Sequence, residues 1–264
     1  MKYWHVYKMS AIRIITYRLN FLLGRLQNLV WLLIFYFIWT SLSATIGSFA
    51  GFTQAELMTY VFMVHLLRPF IFGAQMTHLA EEINSGLFSS YLTKPITHFW
   101  FNYARELGEK SVLTVAALAE IAIAQLFVPV QFLPYLTGLP RFGLFLFVVI
   151  GAHFIYELLG YGVGLVAFWS NDAVGPRFLF NWIVEFTSGS FYPLQIIRGF
   201  FAHLIKWLPF GYIIYLPLLI FLHKISGVAL ITSLLGQLIW IFIAALLVGY
   251  VWKRGLRVYC GEGI

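Results

Sequence analysis

Four ionisable residues interrupt long apolar runs: Arg68, Glu120, Glu157 and Glu185. A charge in such a run is costly, and it is kept where it pairs, meets water or meets a ligand. Three acids against one base describe either structural ion pairs or a polar inward-facing cavity suited to a substrate, a cationic one in particular. At about 1.5 Å per residue, depth along each run can be compared. Arg68 lies nine residues before the end of its run and Glu120 nine residues after the start of its own. Both then sit about 13 Å deep, within reach of pairing. Glu157 is twelve residues from the end of its run and Glu185 seven from the start of its run.

Patterns for covalent or nucleotide chemistry fail on inspection. Gly108-Glu-Lys-Ser111 matches only the tail of a phosphate loop: Glu109 splits the Gly-Lys pair and the upstream glycine is missing. The chain is not expected to bind ATP itself. Glu81-Glu82 lacks the arginine of an EExxxR protease pattern, since position 86 is Gly. Ser188-Gly-Ser190 lacks the GxSG spacing of an intramembrane serine nucleophile, and His203 lies in a broken segment. The seven histidines show no HxxxH or HExxH spacing, so no metal site is expected. One cysteine, Cys260, excludes a disulfide framework. A catalytic role is not expected.

The elements that carry these residues follow from composition. Of 264 residues, 61% are hydrophobic and only 10% charged, with mean hydropathy +0.85. Soluble domains carry roughly 25% charged residues, so an ordinary soluble enzyme and a disordered chain are both excluded. A bilayer core is crossed by about 20 apolar helical residues. Six windows meet that length: 26–46, 57–77, 111–133, 142–169, 178–196 and 228–250. Residues 198–224 are apolar but cut by Pro209, Gly211 and Pro217, which suits broken or re-entrant helices better than a seventh span. No dyad alternation supports a barrel. The expected fold is all-α: a polytopic membrane protein with six transmembrane helices and re-entrant outer helices between spans five and six.

Lys and Arg set the expected orientation. Twelve of the 17 fall on one side of this layout, counting the N-terminus and the segments after spans two, four and six, against four on the other side. The net charge of +7 is therefore a topology signal, and it predicts both termini in the cytoplasm. Residues 1–25 lack the apolar core and cleavage site of a signal peptide. Trp4, Ala11, Ile15 and Leu22 share one helical face, which predicts an amphipathic helix in the cytoplasmic interface, followed by one permease domain over 26–264. The connection His78–Lys110 shows Leu87, Phe88, Tyr91 and Leu92 before Lys94-Pro95, a docking surface for a soluble partner.

Three groups of residues resemble the ABC-2 type transporter permeases. Ile83-x-x-Gly86-Leu87 with Leu92-x-Lys94-Pro95 is similar to that family's cytoplasmic segment. Gly189-x-Phe-Tyr192-Pro193-Leu194, Pro209-Phe210-x-Tyr212 and Tyr215-x-Pro217 are similar to its broken outer segment, and Trp252-x-x-Gly255-Leu256-x-x-Tyr259-x-Gly261-x-Gly263 to its C-terminal signature. The resemblance implies a permease subunit of an exporter in the bacterial inner membrane. Its partners would be two cytoplasmic ATP-binding subunits, which carry ATP and Mg, and a second permease, identical or related, with lipids around it and no nucleic acid. It implies a coupling element at Glu82, Ile83, Gly86, Leu87, Leu92, Lys94 and Pro95. An outer gate would involve Gly189, Tyr192, Pro193, Pro209, Phe210, Tyr212 and Pro217. Arg68, Glu120, Glu157 and Glu185 match no motif of the family, and as a candidate substrate pathway they rest on depth alone. The alternative is an ion-coupled secondary transporter with the glutamates as proton carriers.

Overall fold

The computed structural model describes residues 2–46, 48–73, 75–127, 138–170 and 174–259. Helix α1 (Lys2–Thr16) precedes α2 (Arg18–Ile46), so residues 18–25 are the first turns of α2. A hairpin of β1 (Ser48–Phe49) and β2 (Phe52–Thr53) leads into α3 (Gln54–Ile71). Its two turn residues, Ala50 and Gly51, both have positive φ, as a tight turn of this hand requires. Thr53 and Glu56 form a reciprocal capping box that starts α3: the Thr53 N–H donates to Glu56 Oε2 at 2.8 Å, and the Glu56 N–H donates to Thr53 Oγ1. Then follow α4 (Gln75–Asn84), α5 (Ser89–Leu92), α6 (His98–Ala124), α7 (Leu139–Gly164) with a 3-10 turn to Phe168, and α8 (Val174–Thr187). The last elements are α9 (Phe200–Trp207), α10 (Tyr215–Phe221) and α11 (Gly227–Val258).

The all-α class holds, but the count of six spans is corrected. Among the described residues three helices are long and apolar enough to cross a membrane: Arg18–Ala44, Leu139–Phe168 and Gly227–Val258. A fourth is possible only if Phe200–Trp207 and Pro209–Phe221, bent by 65° at their junction, count as one broken span. The other three windows fail for separate reasons. The window 57–77 runs past the end of α3, an 18-residue helix that carries Glu56, His65, Arg68 and Pro69. In 111–133 the helix stops at Ala124, and its earlier half carries Glu106, Glu109 and Lys110; residues 128–133 lie outside the described residues. In 178–196 helix α8 ends at Thr187 after 14 residues, about 21 Å. A hydropathy window counts apolar residues and does not see where the helix ends.

Helix α7 is the centre of the bundle, with Val148, Ala152 and Ile155 fully buried. It runs parallel to α11: Gln237 of α11 donates to Val148 O, and Gly255 lies against the Phe168 ring. It runs antiparallel to α6, whose Lys110 meets Glu157 and whose His98 meets Tyr161. The bundle therefore has an α4–α5 end, where α6 begins and α7 and α11 finish, and a hairpin end, where α7 and α11 begin. Helices α2 and α11 turn apolar side chains such as Leu22, Phe37, Phe242 and Leu246 outward. Helix α1 lies along the first half of α6. A side chain at Gly108 would strike the Tyr7 carbonyl, the Thr97 N–H donates to Tyr3 Oη, and Arg13 pairs with Glu109.

Candidate functional site

The segment from Glu82 to Pro95 is built at the α4–α5 end. Gly86 has φ +75, which favours glycine, and the reversal there brings the Phe88 N–H onto Glu82 O at 2.9 Å. Phe88 is then fully buried among four rings, His98, Phe168, Trp252 and Tyr259, at 5.0, 5.4, 5.6 and 5.2 Å. Tyr259 Oη accepts from the Ser89 N–H and donates to Gly86 O. Two stretches that the sequence offers as separate motifs, 83–95 and 252–259, thus meet around one phenylalanine. Gly261 and Gly263 of the second, and Cys260, lie outside the described residues.

Behind the ring cluster, Glu82 is the hub of a buried polar network. His98 Nε2 lies 2.7 Å from Glu82 Oε2, Arg105 Nη1 lies 3.1 Å from Oε1, and Tyr91 Oη donates to Oε1 at 3.3 Å. Tyr161 Oη, 3.0 Å from His98 Nδ1, occupies the other ring nitrogen. Burial acts to raise the Glu82 carboxyl, but the hydrogen bonds and charges of His98 and Arg105 outweigh it and hold it below the usual carboxylate range. On the outer side of the same segment Leu87 and Leu92 are 62% and 50% exposed, and Lys94 and Pro95 are exposed beside them. An element pinned from behind presents an apolar face in front.

The four charges of the apolar runs are distributed differently from their depth ranking. Arg68 does not meet Glu120; its Nη1 and Nη2 hold Glu185 of α8 at 2.7 and 2.5 Å. Glu120 is held by Arg25 Nε and Nη2 at 2.7 and 2.9 Å and by His65 Nε2 at 2.7 Å. Glu157 pairs with Lys110, which also donates to Ile71 O at 2.9 Å and approaches Glu106 at 3.6 Å. His153 Nδ1 lies 3.1 Å from Phe70 O, an acceptor only, so that nitrogen carries the proton. Arg68 and Glu185 also line a cavity of about 250 Å³ with Phe72, Tyr156 and Asn181.

Arg25, Glu106 and Lys110 are the partners that the sequence reading missed. Two signals were available: the i, i+4 spacing of Glu106 and Lys110, and Arg25 standing at the head of an apolar run. At the hairpin end, Gly189 has positive φ, Tyr60 Oη donates to its carbonyl, and the Tyr215 N–H donates to Ser188 O at 2.9 Å. Tyr192 Oη donates to Phe186 O, and Tyr212 O accepts from Gln237. Pro193 and Pro209 begin 3-10 turns or flank them, Phe210 lies in the second turn, and Pro217 is inside α10. The residues expected to form an outer gate are thus gathered at one end of the bundle, opposite the Glu82–Pro95 segment.

A comparison with curated proteins gave no match. A family model described as ABC-2 family transporter protein matches residues 29–263, a stretch that takes in the pinned segment, the broken helices and the C-terminal motif. The chain therefore belongs to the ABC-2 family of multi-pass, non-catalytic membrane permeases, for which ATP-binding partner subunits are the family-level expectation.

Proposed function

We propose that this chain is the membrane subunit of an ATP-driven exporter in the bacterial inner membrane. It pairs with a second permease, identical or related, and is driven by two separate ATP-binding subunits that carry ATP and Mg. The Glu82–Pro95 segment is the coupling element, and the end of the bundle that holds it, together with α1 and the end of α11, faces the cytoplasm. The observation that carries this reading is the contrast within the segment: Leu87 and Leu92 stand exposed, while Phe88 and Glu82 anchor the same few residues to α6, α7 and α11. A push on the exposed face is transmitted to three helices at once. Closure of the partner ATPases would then bias the bundle between two arrangements, the free energy coming from unequal affinity for the two. The broken region from Gly189 to Pro217 is the outer gate, and the Arg68–Glu185 cavity lies on the path.

The ion-coupled alternative is disfavoured by pairing. Glu120 and Glu185 are each held by a guanidinium, and a carboxylate held this way is a poor proton carrier. The deciding experiment is Leu87→Asp in the tagged full chain. Because Leu87 is exposed, the variant should reach the membrane normally, yet it should recover at least tenfold less ATP-binding protein in mild detergent. Equal recovery from both chains would overturn the coupling assignment. An absence of any ATP-binding protein with the unaltered chain would overturn the exporter reading itself.

A further inference from the structure

Four basic residues stand at the hairpin end, and two of them serve the fold. Arg141 donates to the Ile220 and Ile225 carbonyls, and Lys224 pairs with Glu56 and donates to Gly51 O. The other two, Arg198 and Lys206, are exposed and have no ion-pair partner among the described residues. They flank α9, Arg198 just before it and Lys206 in its last turn.

Helix α9 has two kinds of surface. Phe200, Phe201 and Trp207 are exposed, the aromatic dress of a helix at a membrane interface. Ala202, Ile205 and Lys206 line a cavity of about 400 Å³ between α9 and α10. Leu216 and Leu219 form its opposite apolar wall, with Tyr212 and Ser233 as polar points. That volume falls within the roughly 300–1,000 Å³ of small-molecule sites. Apolar walls, few polar groups and the exposed Lys206 in the lining together fit an amphiphile whose head is anionic.

We infer that the cavity beneath α9 binds an anionic phospholipid, with an acyl chain between α9 and α10 and the headgroup phosphate on Lys206, Arg198 adding to the local potential. The site is distinct from the coupling element and does not depend on the exporter reading. It also accounts for two cations on the side of the chain that is otherwise poor in them.

The test uses the full chain in nanodiscs of equal phosphatidylglycerol and phosphatidylcholine, released into detergent and read by native mass spectrometry. Phosphatidylglycerol should be retained preferentially. Lys206→Gln should lower that retention roughly fivefold, the effect of one basic residue near an anionic headgroup. Ala202→Trp, which fills the cavity without touching charge, should lower it by a similar factor. Ser233→Phe approaches from the opposite wall and replaces Ala202→Trp if that variant does not fold. Equal retention of both lipids overturns the inference. So does a loss in Lys206→Gln with none in the cavity-filling variants, which would mean headgroup adsorption at the surface. Displacement of the lipid by free glycerol phosphate would equally overturn it, because the acyl chain would then contribute nothing.

Discussion

The two ends of this bundle are held together by different chemistry. At the α4–α5 end, side chains bind side chains: Glu82 with His98, Arg105 and Tyr91, and Phe88 within four rings. At the hairpin end, side chains mostly bind backbone carbonyls: Tyr60 to Gly189 O, Gln237 to Val148 O, Arg141 to Ile220 O and Ile225 O. A side-chain network is cooperative and rigid, and losing one member strands the others. The bonds to Gly189 O, Ile220 O and Ile225 O fall where helices end or break, which is where carbonyls go short of helical partners. Under the coupling proposed above, the first end would serve as the lever and the second as the rim that responds.

The largest effect that separates the ends is expected from Phe88→Ala. Removing a fully buried ring costs about 3–5 kcal/mol, and here the loss also frees Tyr259 and Trp252. The thermal midpoint in detergent should fall sharply. Hydrogen exchange should rise in residues 82–95 and 252–259 together, with 188–222 unchanged. A rise spread evenly over both ends would break the contrast.

Glu82 should come next, at about 2 kcal/mol for a charged hydrogen-bond hub. Its folded carboxyl sits below the ordinary value, near 4.3 for glutamate. The stabilisation is therefore fully present at neutral pH and is lost as pH falls through the lowered folded value. Protease nicking in residues 82–98 should increase only in that acid range, and Glu82→Gln should remove the pH dependence. Persistence of the same acid transition in Glu82→Gln would assign it to another group.

What the sequence made legible divides along physical lines. Motif residues at both ends were visible because turns and caps leave local signatures, such as glycine at position 86 and prolines at 193, 209 and 217. Depth along a run was visible only coarsely, since it put Glu120 level with Arg68 whereas the α3 residue that meets Glu120 is His65. Azimuth was not. His65, three residues before Arg68, is the α3 side chain that turns toward Glu120, and Arg68 turns to α8 instead. The span count failed for a similar reason, because 178–196 carries only one charge, Glu185, while its helix ends at Thr187. Lys110 was read as part of a connection, yet it is among the most buried side chains of the molecule. Only the packed neighbours Glu157 and Ile71 O explain why a lysine lies there.

At the hairpin end the corresponding change is Arg141→Met, which strands the Ile225 carbonyl and leaves Ile220 O with the His223 N–H. An effect of about 1–2 kcal/mol is expected, smaller than at Glu82 because water at the rim can replace part of what is lost. Thermal melting of the single variant checks it, and hydrogen exchange should rise in 220–228 alone. A loss equal to that of Phe88→Ala would mean that both ends are equally rigid.

The smallest effect, and the finest test of the contrast, lies between the ends. Arg68 and Glu185 form a bidentate pair, but their side chains are 31% and 19% exposed and border the 250 Å³ cavity. Partial exposure limits such a pair to about 1 kcal/mol. A double-mutant cycle of Arg68→Met and Glu185→Gln should give a coupling of that size, whereas Arg68→Met with Glu120→Gln should be additive within a few tenths of a kcal/mol. The Arg25→Met and Glu120→Gln cycle should exceed both, since that pair is more buried and is completed by His65. Coupling between Arg68 and Glu120 in place of Glu185 would mean that depth alone selects partners in this bundle. The reverse result, coupling of about 1 kcal/mol between Arg68 and Glu185, would mean that azimuth as well as depth selects partners in this bundle.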